Sequence, residues 1–457
     1  MAFRERAKSR PAVYAITRGA DSDRPRDGLR FFVLVSRAVV IALVFGTEIA
    51  RYLAARVGGR GRTSPDRDLL RGEHLARALE RLGATFIKLG QIAATRPDLF
   101  PDGVTRGLAR LQDAVPAASL ADVRDVLDGE LSVVARARFR SIEDRPIAAA
   151  SVAQVHRGVL DDGTVVAIKI QRREAASQID RDLSLLRVFA RAVELVPRMR
   201  FLSVRGAVER FGDALASQLD FVLEAENNRR IARNFAGDER IRCPALFDEL
   251  SARRVLTMEF VDGVRPTDIV EDRPAVAVAG FRCIAKMVFL DGFVHADMHP
   301  GNLLFTKDGR IFLIDTGLVA EIAEDLRKPW VETFVAVAMC DGKRAAELFY
   351  GHAPMVDGTD FAAFSRDIQA HLSAMHGKPI SELEVSSAVG GAMAILRRHG
   401  VQADPIFTVV NLAMLVAEGI GKQLDPTFDV FGCALPFLAE ASLLYPEGRP
   451  MLRAIPS

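Results

Sequence analysis

The residues best placed to do chemistry are polar groups set between apolar runs. His295-Ala296-Asp297-Met298-His299-Pro300-Gly301-Asn302 puts an aspartate and an asparagine five positions apart in one loop. Thirteen residues after Asn302, the apolar run Ile311-Phe312-Leu313-Ile314 ends in Asp315-Thr316-Gly317. This is the spacing of the phosphoryl-transfer patterns H-R-D-x-x-x-x-N and D-F-G. In such a constellation Asp297 orients the attacking oxygen and takes its proton. Asn302 and Asp315 hold Mg2+, a cation that suits few carboxylates together with phosphate oxygens and water. His295 and His299 could also bind zinc, but a third protein ligand is not apparent.

Phosphoryl-transfer chemistry of this kind requires a lysine on a strand upstream. Val166-Ala167-Ile168-Lys169-Ile170 supplies it, with Lys169 in an alternating strand where it can hold the α- and β-phosphates of ATP. Eighteen residues before Lys169 lies Ser151, in the run Ala148-Ala149-Ala150-Ser151-Val152-Ala153, at the position of a phosphate-covering loop. Glycine is usual there. Alanine permits close approach but not easy positive φ, so a stiffer loop with redirected amides is expected.

The elements that must carry these groups can be read from periodicity. Residues 147–160 and 164–172 read as two strands joined by an Asp-Gly turn. Arg254–Gly263 reads as a third strand ending in a turn, and 292–317 as loop, strand, hairpin turn, strand and loop. Leu69–Leu111, Ala121–Leu127, Arg173–Val196 and Phe201–Phe235 read as helical, and the chain from Ala320 onward as helices only. No repeat of fixed period is present.

Taken together, these motifs resemble the UbiB/AarF/ADCK family of atypical protein-kinase-like proteins. Lys88-Leu89-Gly90-Gln91 matches that family's K-x-G-Q signature, residues 148–156 its alanine-rich loop, and Gly292–Asn302 and Leu313–Gly317 its two downstream motifs. The similarity runs from about Leu69 to about Asp429. It implies an α+β, bilobal protein-kinase-like fold. A small strand-containing N-lobe and a mostly helical C-lobe would be joined by an N-terminal helical segment folded over the active site. The expected organisation, its first two parts read from charge and hydropathy, is a basic arm over residues 1–30, an apolar membrane-associating helix over 31–56 and a helical extension with K-x-G-Q over 69–130. The N-lobe with a helical insertion would then span 140–262, and the C-lobe 263–457.

The resemblance further implies ATP and Mg2+ as cofactors, with Glu224 pairing with Lys169 and Glu226 as the alternative partner. By analogy, Glu259 lies in the hinge that meets adenine. It also implies a regulatory role for Lys88, Gln91 and Asp220, in which Lys88 crosses the substrate groove toward an acidic E-x-D motif. Here that motif reads Gln218-Leu219-Asp220, so Asp220 is the remaining carboxylate expected for Lys88. Thr316 stands where D-F-G has phenylalanine, which weakens any phenylalanine-driven switch.

Composition sets the outer bounds. The chain has 457 residues, 61 basic against 59 acidic, which argues against a chain-wide field for nucleic acid. Four cysteines without a C-x-x-C pair exclude a dense disulfide framework and point to reduced, buried thiols. Phe31–Ala50 is apolar apart from Ser36, Arg37, Thr47 and Glu48, and is followed by Arg51 and Arg56. Such a segment fits a helix lying at an anionic membrane surface better than one crossing it, although a crossing or buried helix remains open. The expected location is therefore cytoplasmic, at the membrane surface.

The function implied is an ATP- and Mg2+-dependent kinase or ATPase supporting ubiquinone or other isoprenoid-quinone biosynthesis, or membrane lipid handling. Its implied partners are nucleotide, a membrane lipid or quinone precursor, and quinone-biosynthesis proteins. Two alternatives compete: a nucleotide-binding pseudokinase that scaffolds a membrane complex, and a small-molecule phosphotransferase. Lys88-Leu89-Gly90-Gln91 and the alanine loop count against the last.

Overall fold

The computed structural model describes residues 27–59, 63–94, 100–111, 117–195, 204–265, 268, 272–296, 298, 300–375, 385–445, 448 and 450–456. The expected basic arm over 1–30 falls outside these residues except for 27–30, which form the first turn of a helix.

The N-terminal part is helical. Helix α1 (Asp27–Val57) is followed by α2 (Ser64–Leu82), α3 (Ala84–Ala94) and α4 (Asp102–Leu108). Thr63 caps α2 by accepting a hydrogen bond from the Asp66 amide, and Pro65 lies in its first turn. Helices α2 and α4 meet backbone to backbone. A Cβ on Gly72 would lie 2.6 Å from the Val104 carbonyl oxygen, and one on Gly107 2.5 Å from the Gly72 carbonyl carbon. Leu79, Leu82, Phe86, Leu108 and Leu111 fill the core between these helices.

Short helices α5 (Leu120–Glu130) and α6 (Val133–Ala137) lead into the N-lobe sheet. Its strands are β1 (Phe139–Ile142), β2 (Ala148–Ala149), β3 (Ala153–Leu160), β4 (Val165–Gln171) and, later in the chain, β6 (Val255–Glu259). The order is β1-β3-β4-β6, with β2 paired to β3 and every pairing antiparallel. The expected Asp-Gly turn joins β3 to β4, where Gly163 takes φ +86°, a conformation that glycine adopts without strain.

Helices α7 (Ala175–Glu194), α8 (Val204–Gln218) and α9 (Phe221–Asn234) lie between β4 and β5 (Ile241–Arg242). Sequence periodicity merges the last two into one helical zone. They are separate because Asp220 ends the run and caps α9, accepting from the Val222 amide at 3.1 Å.

The C-lobe begins with α10 (Arg273–Ala285), which passes into a π-helical turn at Lys286–Asp291 and then β7 (Phe293–His295). Strands β8 (Leu303–Phe305), β9 (Ile311–Leu313) and β10 (Val319–Glu321) follow. β8 and β9 form the expected hairpin, to which β5 adds in parallel, while β10 pairs with β7. The expectation of helix alone beyond Ala320 is thus corrected at β10, a strand of three residues too short to show a period of two. Then come α11 (Glu324–Ala338), α12 (Gly342–His352), α13 (Phe361–Ser373), α14 (Val385–Arg398), α15 (Pro405–Leu424) and α16 (Val430–Leu444).

The largest core of the molecule lies in this lobe and includes Phe281, Phe289, Trp330, Phe334 and Phe431. The four cysteines are unpaired, and burial raises the pKa of each thiol, to about 12 at Cys243. The architecture is α+β and bilobal, a protein-kinase-like arrangement of a small sheet above a helical lobe.

Candidate active site

The site is built around Lys169. Alternation along β4 gives this residue one face, and Val155 on β3 and Leu256 on β6 are its neighbours in register. Its side chain is almost buried, which is costly for an ammonium unless carboxylates surround it. Two do. Lys169 Nζ donates to Glu224 Oε1 at 2.7 Å and Oε2 at 2.8 Å, and to Asp315 Oδ2 at 2.9 Å. The three residues come from β4, from the first turn of α9 and from the loop after β9, so the fold alone brings them together. Glu224 is the glutamate on Lys169; Glu226 makes no bond to it.

The charges in this triad shift one another. Burial opposes the ammonium of Lys169, but the charges of Asp315 and Glu224 overcome it and raise its pKa. Burial likewise opposes ionisation of Asp315, but Lys169 and the Gly317 amide hold its carboxyl well below the usual range. Glu224 moves the other way: burial pushes its carboxyl up to about 7, against the pull of Lys169 and with the added repulsion of Asp315.

Hydrogen bonds fix the Asp315 loop. Asp315 Oδ1 accepts from the Gly317 amide at 3.0 Å, and its carbonyl oxygen is bonded to His295 Nε2. The buried Thr316 donates its hydroxyl to the Glu224 carbonyl at 3.1 Å, and its own carbonyl accepts from Asn227 Nδ2 at 3.0 Å. The threonine in place of phenylalanine therefore ties the loop to α9 through polar bonds. A Cβ on Gly317 would lie 3.2 Å from Asp315 Oδ1 and 3.3 Å from Glu224 Oε2, so a larger residue would crowd both carboxylates. Asn302, at the start of β8, is buried, and its carbonyl accepts from the Ile314 amide at 3.0 Å, which fixes it beside the strand leading to Asp315. Asp297 and His299 lie outside the described residues. Among the described residues no cluster of three metal-ligating side chains occurs.

The alanine run forms a tight turn between β2 and β3. Ala148 and Ala149 pair with Val155 and Gln154, and the Ala150 amide donates to the Ala153 carbonyl at 2.8 Å. Arg172, the residue after β4, clamps the turn, donating Nε to the Ala150 carbonyl at 2.8 Å and its amide to the Val152 carbonyl at 2.9 Å. Ser151, Val152 and Ala153 are buried. The expected stiffness has a physical basis here, since the Ala150 amide is spent inside the turn. Gln154 and His156 extend the bracing: Gln154 accepts from the Ala118 amide at 2.8 Å and meets His156 Nε2 at 2.8 Å. Glu259 ends β6 with an exposed side chain that accepts from the Ala245 amide at 3.1 Å.

The residues expected to regulate the site separate into two groups. Lys88 and Gly90 are buried on α3, which rules out an ordinary surface lysine. Gln91 Nε2 lies 3.4 Å from the Leu111 carbonyl. Gly90 is closely packed: a Cβ there would lie 2.3 Å from Leu111 Cδ1 and 2.6 Å from Leu79 Cδ1, so both leucine side chains would have to move. Asp220, the carboxylate expected for Lys88, is instead committed to its own helix cap and to Arg253 Nε at 3.3 Å. The break between α8 and α9 places it at a helix start, where an acid is favoured by the unpaired amides. Sequence reasoning missed Asn227, Arg172, Gln154 and Arg253. Gln154 lies within the alanine-loop motif already recognised, whereas the other three carry no local signal.

Family models and curated relatives match most of the chain. Residues 110–349 match the ABC1 atypical kinase-like domain, and residues 368–429 the UbiB helical domain. A Shewanella halifaxensis protein named probable protein kinase UbiB is 30% identical over 386 residues, covering 82% of this chain and 70% of its own. An Aeromonas salmonicida protein of the same name is 32% identical over 383 residues, 81% of this chain and 70% of its own. The Arabidopsis thaliana chloroplastic protein ACTIVITY OF BC1 COMPLEX KINASE 3 is 31% identical over 393 residues, covering 84% of this chain, but the chain spans only 55% of that protein. Among solved structures, the Rv3197–erythromycin complex of Mycobacterium tuberculosis aligns with a TM-score of 0.46 at 24% identity, over 81% of this chain and 94% of that one. The chain belongs to the UbiB/ABC1 family of atypical protein-kinase-like proteins.

Proposed function

We propose that this protein is an ATP- and Mg2+-dependent phosphotransferase or ATPase that acts at the cytoplasmic face of a membrane in isoprenoid-quinone or lipid metabolism. The observation that carries the reading is the Lys169–Glu224–Asp315 triad, a buried cation held by carboxylates from two other elements. The donors suit the cofactor. One carboxylate and one side-chain amide, Asp315 and Asn302, are a hard oxygen set of the kind Mg2+ accepts alongside phosphate oxygens. Asp315 retains 39% side-chain exposure, against 11% for Lys169, so one side of it faces outward.

In this reading Mg2+ neutralises developing charge on the phosphates when bound. Lys169 binds the α- and β-phosphates and is itself oriented by Glu224. Ala148–Ala153 cover the nucleotide as a braced turn, Glu259 borders the adenine side, and Asp297 orients the attacking oxygen and accepts its proton. Lys88 and Gln91 on α3 restrict access to that chemistry. A quinone or lipid substrate, and partner proteins of quinone biosynthesis, are what the resemblance to the UbiB family implies, a family whose name the relatives carry.

The test is ATP hydrolysis by the purified chain with and without anionic vesicles, beside Asp297→Asn. Turnover should fall by roughly 10²–10⁴ in the variant while Mg-ATP still raises thermal stability. Nucleotide binding without turnover in the parent would favour the scaffold alternative, for which the spent Ala150 amide is the one supporting observation.

A further inference from the structure

Between Phe31 and Ala50, helix α1 is inverted relative to an ordinary surface helix: its two charged residues face protein, and most of its large apolar residues are exposed. Arg37 and Glu48 are eleven positions apart, three turns of helix, and so share one stripe. Arg37 donates Nε to Asp182 Oδ1 at 2.7 Å, and Nη2 to Asp182 Oδ2 at 3.0 Å and to the Leu82 carbonyl at 2.6 Å. Asp182, on α7, is completely buried. Three turns on, the buried Glu48 meets His74 Nδ1 at 3.0 Å and Arg81 Nη1 at 3.4 Å, both on α2, and Arg51 Nη1 at 2.6 Å. Burial opposes the Glu48 charge, but the bonds from His74 and Arg51 hold its carboxyl below the usual range. Val44 packs between the two ionic contacts in the helical core.

The opposite side is bare. Phe32 is 69% and Leu43 64% exposed, with Val39, Ile49 and Leu53 above half. From Phe31 to Ala50 that side carries no charge, and its two hydroxyls turn back on the helix, Ser36 to the Val33 carbonyl and Thr47 to the Leu43 carbonyl. Twenty residues make a strip about 30 Å long. Exposed Arg56 follows it, a cation suited to anionic headgroups.

We propose that this outer face docks on a lipid bilayer with α1 lying in the interfacial plane, its inner stripe still seated on α2 and α7. The helix is long and apolar enough to cross a membrane by composition. The structure argues against crossing. Helix α1 packs along α2, which carries Arg67, Asp68, Arg71, Glu73, Arg77 and Arg81 and cannot follow it into hydrocarbon. Leaving α2 and α7 behind would strip Arg37 from the buried Asp182 and place the arginine among acyl chains. The Arg37–Asp182 pair therefore acts as the latch joining a membrane-bound helix to the kinase-like N-lobe. The proposal deepens the membrane-surface reading above and rests on it.

The test uses the full chain with phosphatidylcholine vesicles, with and without phosphatidylglycerol, the lipids brominated at shallow or deep acyl carbons. Phe32→Trp, Val39→Trp, Leu43→Trp and Leu53→Trp spread four probes over about 30 Å of one face. Native Trp330 is buried and serves as the unquenched control. The expected result is the same shallow depth at all four positions, with quenching by shallow bromines stronger than by deep ones. Depths that pass from shallow through deep to shallow along the helix would show that α1 crosses and would overturn the proposal. Absence of quenching, with concentration-dependent self-association, would assign the face to a second copy and overturn it equally. Mg-ATP-induced thermal stabilisation, measured on the same variants, shows that each is folded and tests the nucleotide site separately from the membrane face.

Discussion

Replacing Lys169 with methionine isolates the electrostatics of the site. The methionine keeps the apolar stem but removes an ammonium that serves three carboxylate oxygens. Breaking a buried pair from one side costs about 3–5 kcal/mol when the remaining charge has no escape. Here there is some relief, because Asp315 is partly exposed and Glu224 can take up a proton. The expected loss is therefore about 2–3 kcal/mol near neutral pH, less than the full penalty for an uncompensated buried charge.

That loss must depend on pH in a definite direction. Glu224 has a folded pKa raised above its unfolded value, so its contribution to stability is fully present below the unfolded value, about 4.5, and is lost as pH rises toward about 7. Without Lys169 the folded pKa rises further. The variant then binds a proton that the parent has released, and its deficit widens by up to about 1.4 kcal/mol per unit above pH 7. Thermal or denaturant unfolding in EDTA at pH 6, 7 and 8 measures this. Lys169→Met with Glu224→Leu should remove the widening, since no buried carboxylate remains on α9 to titrate. A deficit constant from pH 6 to 8, or identical pH slopes for single and double variants, would refute the triad as the source of these shifts.

Two further perturbations probe the helical extension and its neighbours. Gly90→Ala should destabilise the chain by about 1–3 kcal/mol, because the new methyl meets two leucine methyls, whereas Gly46→Ala, with nothing within 4 Å, should lower stability not at all; unfolding midpoints compare them. Asp220→Ala should cost about 1 kcal/mol through the lost cap and should be non-additive with Arg253→Ala yet additive with Lys88→Ala in double-mutant cycles; coupling to Lys88 would restore the pairing that the structure replaces.

Much of this molecule was legible in the sequence, for reasons that differ by element. Lys169, Asn302 and Asp315 could be placed because their backbone contexts are regular. An alternating strand, a hairpin with a Thr-Lys-Asp-Gly turn and an apolar run ending in Asp-Thr-Gly each have a local signature. Glu224 was reachable through motif spacing. What stayed hidden depends on distant partners. The Asp220–Arg253 contact joins residues 33 apart, and the Arg37–Asp182 latch spans 145 positions. No local pattern predicts which carboxylate an arginine will find. The apolar stripe near residue 40 was visible, but its orientation was not, because Arg37 and Glu48 read as interruptions until the fold supplied Asp182, His74 and Arg81. Strand β10 was missed for a simpler reason: three residues cannot establish alternation.

The central claim is that Asp315 anchors Mg2+ and nucleotide beside Lys169. Asp315→Asn keeps the size and the capacity to accept from the Gly317 amide but removes the anionic anchor. The decisive measurement is the thermal shift produced by ATP with and without Mg2+ in the parent and in this variant. The account predicts a Mg2+-dependent shift in the parent that vanishes in Asp315→Asn while the nucleotide-free variant remains folded. An undiminished Mg2+-dependent shift in Asp315→Asn would contradict it.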